Sequence, residues 1–356
     1  MSGRASRQRS GRAPRIAVFR ALMLGDLLCA TPALRALAAA QPDAELTLIG
    51  LAWAGELAAR LPYVDRFVAF PGAPGLPEGE ADAAATEGFV ESMRRERFDL
   101  LVQMHGSGSI VNALLARCAA QSLAGFHPPG EPPPATGRFW AWPDEGHEVE
   151  RLLALTGRLG CPRRGIRLDF PLAESDRQAL AGLPGAPPRG TPYVCVHPGA
   201  RLGSRRWPAE RFAAVGDALA AAGFAVVVTG SAAEVALARR VACAMRQPAT
   251  VLAGRTDLWT LGALLERAWL VVTNDTGVSH LAAALAVPSL VVACGSEVSR
   301  WAPLDRRRHR VLWAPLPCRP CMHDEGCPHE HACAAAVTVE EVVAAARRQP
   351  HTSEPA

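Results

Sequence analysis

Residues Val271 to Pro288 read VVTNDTGVSHLAAALAVP. Val271 and Val272 suit a buried strand, Thr273 to Gly277 form a polar turn, and the Ala- and Leu-rich remainder is a helix that stops at Pro288. Junctions of this kind, repeated along a chain, build a parallel sheet whose strands are joined by helices. The polar turn has two readings that this stretch alone leaves open. Asp275 or Thr276 caps the helix while Gly277 relieves a tight turn. Alternatively, the unpaired N–H groups and the positive dipole end of the helix face a phosphate.

The same alternation runs outward in both directions. Towards the amino terminus, RIAVFR is a strand, ALMLGD a turn, LLCATPALRALAAAQP a helix kinked or restarted at Pro32, and AELTLIG a second strand. FDLLVQMH and the helix SIVNALLARCAA continue the series, and HEVERLLALTGRLGCP closes it. After a Pro- and Gly-rich stretch containing GLPGAPPRGTP, the strands YVCVHPG, AVVVTG, LVVTND and SLVVAC alternate with further helices. The expected class is therefore α/β, with two Rossmann-like domains built on parallel sheets and a binding cleft between them. The expected boundaries are a basic arm over 1–14, a first domain over 15–172, a linker over 173–190, a second domain over 191–337, a helix over 338–348 and a tail to 356.

Composition narrows the setting. The 356 residues are 49% hydrophobic, yet no uninterrupted apolar run reaches the length of a membrane span. The first fifteen residues, MSGRASRQRSGRAPR, are basic and lack the apolar core of a secretory signal, so a cytoplasmic protein is expected. Ten cysteines in a reducing compartment are not expected to form disulfides. A net charge of +4 is too modest to call for nucleic acid, although the basic arm suits peripheral contact with the inner membrane surface.

Particular residues carry the chemistry. Gly25 permits close approach of backbone to a ligand, and Asp26 either caps a helix or acts from the carboxyl end of the first strand, where open parallel sheets bind ligands. In HPGARLGSRRWPAERF, Arg205 and Arg206 suit paired bonds to phosphate oxygens, while Trp207 before the next helix suits packing. Glu234 has the reach for a ribose hydroxyl, or simply begins a surface helix. Cys318, Cys321, Cys327 and Cys333 follow C-x2-C-x5-C-x5-C spacing with His323, His329 and His331 interleaved. Such thiolate density suits a structural zinc or iron, or else a reduced loop.

Taken together, LGDLLCATPALRAL, HPGARLGSRRWPAERF and NDTGVSHLAAALAVP resemble glycosyltransferase family 9, the bacterial heptosyltransferases of lipopolysaccharide core assembly. The resemblance runs from Arg15 to about Ala346. It implies a GT-B fold of two facing Rossmann-like domains, an acceptor on the N-terminal side and a nucleotide sugar on the C-terminal side. It assigns Asp26 as general base, Arg205 to the phosphate in place of a common Lys, Asp275 to sugar hydroxyls, and Thr276 and Gly277 to the diphosphate. His280 lines the same site, Glu234 takes the ribose, and Gly25 and His105 lie on the acceptor side. The implied reaction is inverting transfer of a sugar, such as a heptose from ADP-heptose, to a glycan or glycolipid acceptor, with no catalytic cofactor. A nucleotide-sugar epimerase or hydrolase of the same fold, and a non-catalytic binding protein, are the alternatives.

Overall fold

A computed structural model describes residues 12–77, 82–321, 323 and 327–349. Most of the basic arm, 1–11, and the tail from 350 onward lie outside the described residues. The chain forms two compact units. Unit 1 comprises Met1–Leu22, Pro32–Asp144 and Arg151–Gly165, and unit 2 comprises Met23–Thr31, Glu145–Glu150 and Ile166–Ala356.

Unit 1 holds a six-stranded sheet. Its strands are β1 (Arg15–Phe19), β2 (Glu45–Gly50), β3 (Arg66–Ala69), β4 (Leu100–Gln103), β5 (Leu123–His127) and β6 (Arg138–Ala141), in the order β3-β2-β1-β4-β5-β6. Every adjacent pair is parallel. Ala17, Phe19, Ile49 and Leu101 pack with Phe70, Phe89 and Phe98 into a buried cluster. Burial on both faces explains why these strands read as apolar runs rather than as alternating patterns.

Unit 2 repeats the plan with β7 (Tyr193–His197), β8 (Ala225–Val228), β9 (Ala249–Val251), β10 (Leu270–Asn274), β11 (Ser289–Val292) and β12 (His309–Leu312), ordered β12-β11-β10-β7-β8-β9. All neighbours are again parallel. Val194, Val196, Val226, Val228, Leu270, Val272, Leu290 and Val292 form the sheet's share of the core. In both sheets the order reverses beside the first strand of the unit. In unit 2 that crevice lies between the carboxyl ends of β7 and β10, where a doubly wound sheet opens to a ligand.

Several local expectations change. The helix after β1 is continuous over Leu24–Ala40 with Pro32 inside it, rather than restarting there. Its first residue is Leu24, so Asp26 stands in the first turn and is not the capping residue. The stretch 173–190 includes a helix, Glu174–Gly182, whose Arg177 binds Glu266 through Nη2 to Oε1 at 2.6 Å. No helix among the described residues is long and apolar enough to cross a membrane.

Candidate active site

The polar turn after β10 is built by interlocking loops. Asn274, fully buried, accepts from the Trp207 backbone N–H at 2.9 Å and donates to Pro198 O at 2.8 Å and Gly199 O at 3.3 Å. One side chain thus fixes the loop after β7 to the end of β10. Trp207 itself is packing, as its position suggested. Its indole is buried edge-on against Phe212, with Nε1 donating to Ala334 O and Val337 O.

Capping does not account for the residues that follow. Thr276 occupies the capping position of helix Gly277–Ala284 yet makes no capping bond through its side chain. Asp275 is 4% exposed, and its Oδ2 has no hydrogen-bond partner. Gly277 lies against the first helix: a Cβ there would sit in ordinary van der Waals contact, 3.4 Å from Leu24 Cβ and 3.6 Å from Gly25 N. A Cβ at Gly25 would reach His280 Cδ2 at 2.6 Å and Gly277 Cα at 3.5 Å. Gly25 therefore lets the starts of two helices, each a positive dipole end, meet within unit 2.

Three further buried polar atoms near these strand ends lack partners: Ser204 Oγ, Arg205 Nε and Ser296 Oγ. A buried unpaired polar group costs about 1–3 kcal/mol, and native folds tolerate few of them. Among the described residues of unit 2 the fifth such atom is Gln349 Oε1; the other four follow β7, β10 and β11. The Ser204 and Ser296 loops adjoin, since a Cβ at Gly295 would lie 3.0 Å from Ser204 O. Arg205 belongs to this group, whereas Arg206 serves the loop itself, donating from Nε to Ala200 O at 2.8 Å.

His280 sits at the centre. Burial drives its pKa down, against the pull of Asp275, Asp26 and Glu148, so the imidazole is neutral among three acids. Its Nδ1 lies 3.5 Å from Cys29 Sγ, one turn along the helix that carries Asp26. Glu148, fully buried, is bound by Arg300 Nε at 2.9 Å, and neighbouring His147 bonds through Nε2 to Ala302 O at 2.9 Å. Cys29, Glu148, Arg300, Ser204 and Asn274 carry no motif signal that assigns them roles; each acts through a contact with a distant part of the chain.

Glu234 lies over Gly199, where a Cβ would meet its Oε1 at 1.9 Å. Its Oε2 accepts from Ser231 N and Oγ at 2.7 and 2.9 Å. Burial alone would raise its pKa, but the Ser231 bonds and the nearby His197 bring it below the usual carboxylate value. Both early readings of Glu234, helix start and strand-end ligand, are thus compatible with its position. His105, in unit 1, is buried against Phe19, and burial beside Arg20 pushes its pKa down to about 4.

The cysteine loop is tied to the same strand ends. His323 O accepts from Ser204 N at 3.2 Å, Cys321 N donates to Gly295 O at 2.7 Å, and Arg319 donates to Ala293 O and Ser296 O at 2.8 and 2.7 Å. Cys318, Cys321, Cys327 and Cys333 line one small pocket of about 50 Å³ with His323 and His329. Among the described residues, however, no three His, Cys, Asp or Glu side chains come together as metal ligands.

The pattern of glycosyltransferase family 9 (heptosyltransferase) matches residues 88–332, more than half of the chain. The chain belongs to glycosyltransferase family 9. Among family 9 relatives, it is 27% identical over 316 residues to lipopolysaccharide heptosyltransferase 2 of Escherichia coli K12, covering 81% of this chain and 85% of that one. It is 29% identical over 248 residues to lipopolysaccharide heptosyltransferase 1 of Pseudomonas aeruginosa, covering 66% of this chain and 64% of the relative's length. The solved E. coli ADP-heptose LPS heptosyltransferase II shares its fold with a TM-score of 0.73 at 21% identity, covering 94% of this chain and 97% of that one. The α/β architecture with two parallel sheets, expected of a family 9 chain, is the one described above.

Proposed function

We propose that this family 9 chain is an inverting transferase that moves a heptose from ADP-heptose to a hydroxyl of a lipopolysaccharide-core acceptor. The observation that carries the reading is the set of buried, unpartnered polar atoms on Ser204, Arg205, Asp275 and Ser296, beside a helix start that has no side-chain cap. Relatives named as lipopolysaccharide heptosyltransferases support the donor and acceptor classes.

In this reading the acceptor oxygen attacks the anomeric carbon while its proton passes to the Asp26 carboxylate and the bond to the diphosphate breaks. The Arg205 guanidinium and the start of helix Gly277–Ala284, with Thr276 and Gly277, stabilise the negative charge on the departing diphosphate. Asp275 accepts from sugar hydroxyls, and Glu234 offers Oε1 to the ribose. His280 packs the Asp26 turn against the donor helix, and Gly25 gives it room. His105 lies on the acceptor side. The protein supplies the leaving-group charge, so transfer needs no cofactor; a structural zinc or iron would require the four loop thiols to close around their pocket. The setting is the cytoplasm, at the inner membrane face where a glycolipid acceptor presents its sugars.

The test is incubation with ADP-heptose and a heptose-deficient lipopolysaccharide, following ADP release and the mass of the product. Acceptor-dependent ADP release with one heptose added is expected. Free sugar formed without acceptor, an epimerised donor, or tight donor binding with no turnover would each replace this reading with one of its alternatives.

A further inference from the structure

At the edge of the unit 2 sheet a second concave surface carries a different chemistry. A groove of about 380 Å³ runs beside β12, lined by Arg306, Arg310 and Arg348 with His309, Leu312 and Ala345 among its other walls. β12 is an outermost strand, hydrogen-bonded on one side only, to β11. Arg306 lies in the turn that leads into it. Ala345 and Arg348 are three residues apart at the end of helix Val339–Arg347, so they share a face.

Each arginine taken singly has an ordinary explanation. Arg310 on an edge strand deters pairing with another chain, and Arg348 complements the negative end of its helix. Neither account explains why three guanidinium groups line one groove that, among the described residues, has no carboxylate in its walls. Elsewhere Arg15, Arg66, Arg117, Arg177, Arg240 and Arg300 each hold a glutamate. Among the described residues Arg306, Arg310 and Arg348 form no ion pair or side-chain hydrogen bond, although the Asp275 carboxylate attracts Arg306 through space. The adjacent Asp305 is engaged by the backbone N–H groups of Arg307 and Arg308 at 3.1 and 3.2 Å. His309 adds no charge at neutral pH. Burial pushes its pKa down to about 4, and its Nδ1 lies 2.9 Å from Ser289 Oγ.

We propose that this groove at the β12 edge is a phosphate-binding subsite formed by Arg306, Arg310 and Arg348. Planar guanidinium forks match phosphate oxygens in pairs, and three of them around one groove favour a group carrying one to two negative charges. Two sources present that chemistry: a soluble phosphate ester and the headgroup of an anionic phospholipid.

The experiment compares the full-length protein with Arg310→Gln/Arg348→Gln and with Arg239→Gln/Arg246→Gln, which removes equal charge from exposed positions of the same unit. Inorganic phosphate is titrated calorimetrically at constant ionic strength, balanced with chloride. In parallel, flotation is measured with phosphatidylcholine vesicles with and without phosphatidylglycerol. The phosphate dissociation constant is expected to rise about tenfold or more in Arg310→Gln/Arg348→Gln and to change less than about twofold in the control. Vesicle capture that is lost in the same variant and competed by phosphate identifies the lipid source. Saturable phosphate binding without capture identifies the soluble one. Absence of saturable phosphate binding, or equal binding in all three proteins, overturns the subsite.

Discussion

An aspartate-to-asparagine change at position 26 removes the carboxylate while keeping the size and shape of a side chain that is half-buried in the first turn of its helix and not at its capping position. Loss of a general base lowers the chemical step by about a hundredfold to ten-thousandfold. Asp26→Asn should therefore cut transfer by that factor while ADP affinity, measured by calorimetry, stays within about twofold of the parent. Near-parental turnover would leave Asp26 with a structural role. Arg205→Ala should weaken ADP binding and turnover together, since in the proposed mechanism its charge meets the diphosphate before and during transfer. Gly25 gives a third test. The added methyl of Gly25→Ala overlaps His280, 2.6 Å away, and overpacking of this kind costs about 1–3 kcal/mol. Denaturant unfolding should show that loss, and a His280→Ala background should recover most of it. Equal losses in both backgrounds would mean that the contact is not the cause.

Among elements, the joint between β7 and β10 rests on Asn274. Asn274→Ala removes an acceptor from Trp207 N and donors from Pro198 O and Gly199 O, all buried. The expected cost is about 2–4 kcal/mol in unfolding free energy, with a rise in donor KM larger than the fall in kcat. Unchanged stability and KM would show that the loop holds its place without it. This residue also marks how far the sequence could be read. Strands such as Val271 to Asn274, and the helix that follows, were legible because apolar runs and punctuating Gly and Pro are local signals. Asp26 and Asp275 stood out as candidates because a parallel sheet concentrates ligands at its strand ends. The Cys29–His280 and Glu148–Arg300 pairs were not, since they join positions 251 and 152 residues apart and no local pattern reports them. The four loop cysteines, close in the chain, line one pocket, although no three ligands meet at one point among the described residues.

For the whole molecule, buried histidines set the acid limit. Burial holds His105, His147 and His309 down to about 4, against 6.5 for an unburied imidazole. The unfolded chain therefore binds more protons than the folded one between those values, and unfolding free energy must fall as pH drops through that window. Stability should be level above about pH 7, decline from about pH 6.5 to pH 4, and flatten with respect to these groups below that. Urea midpoints across the range would check this, and a midpoint constant between pH 6.5 and pH 4 would count against it. The histidines lie in both units, so the decline should appear in probes of each.

The membership of the first helix has a practical meaning for anyone recombining such enzymes. Met23–Thr31 belongs with the unit that carries His280 and Asp275, although it precedes most of the other unit in the chain. A chimera joined once, in the stretch before β7, would take donor loops from one parent and Asp26, Gly25 and Cys29 from another. On the proposed function, transplanting donor preference intact requires a second, short graft of residues 23–31 and a third of 145–150. The unit of inheritance for this site is thus three discontinuous segments, and a single crossover divides it.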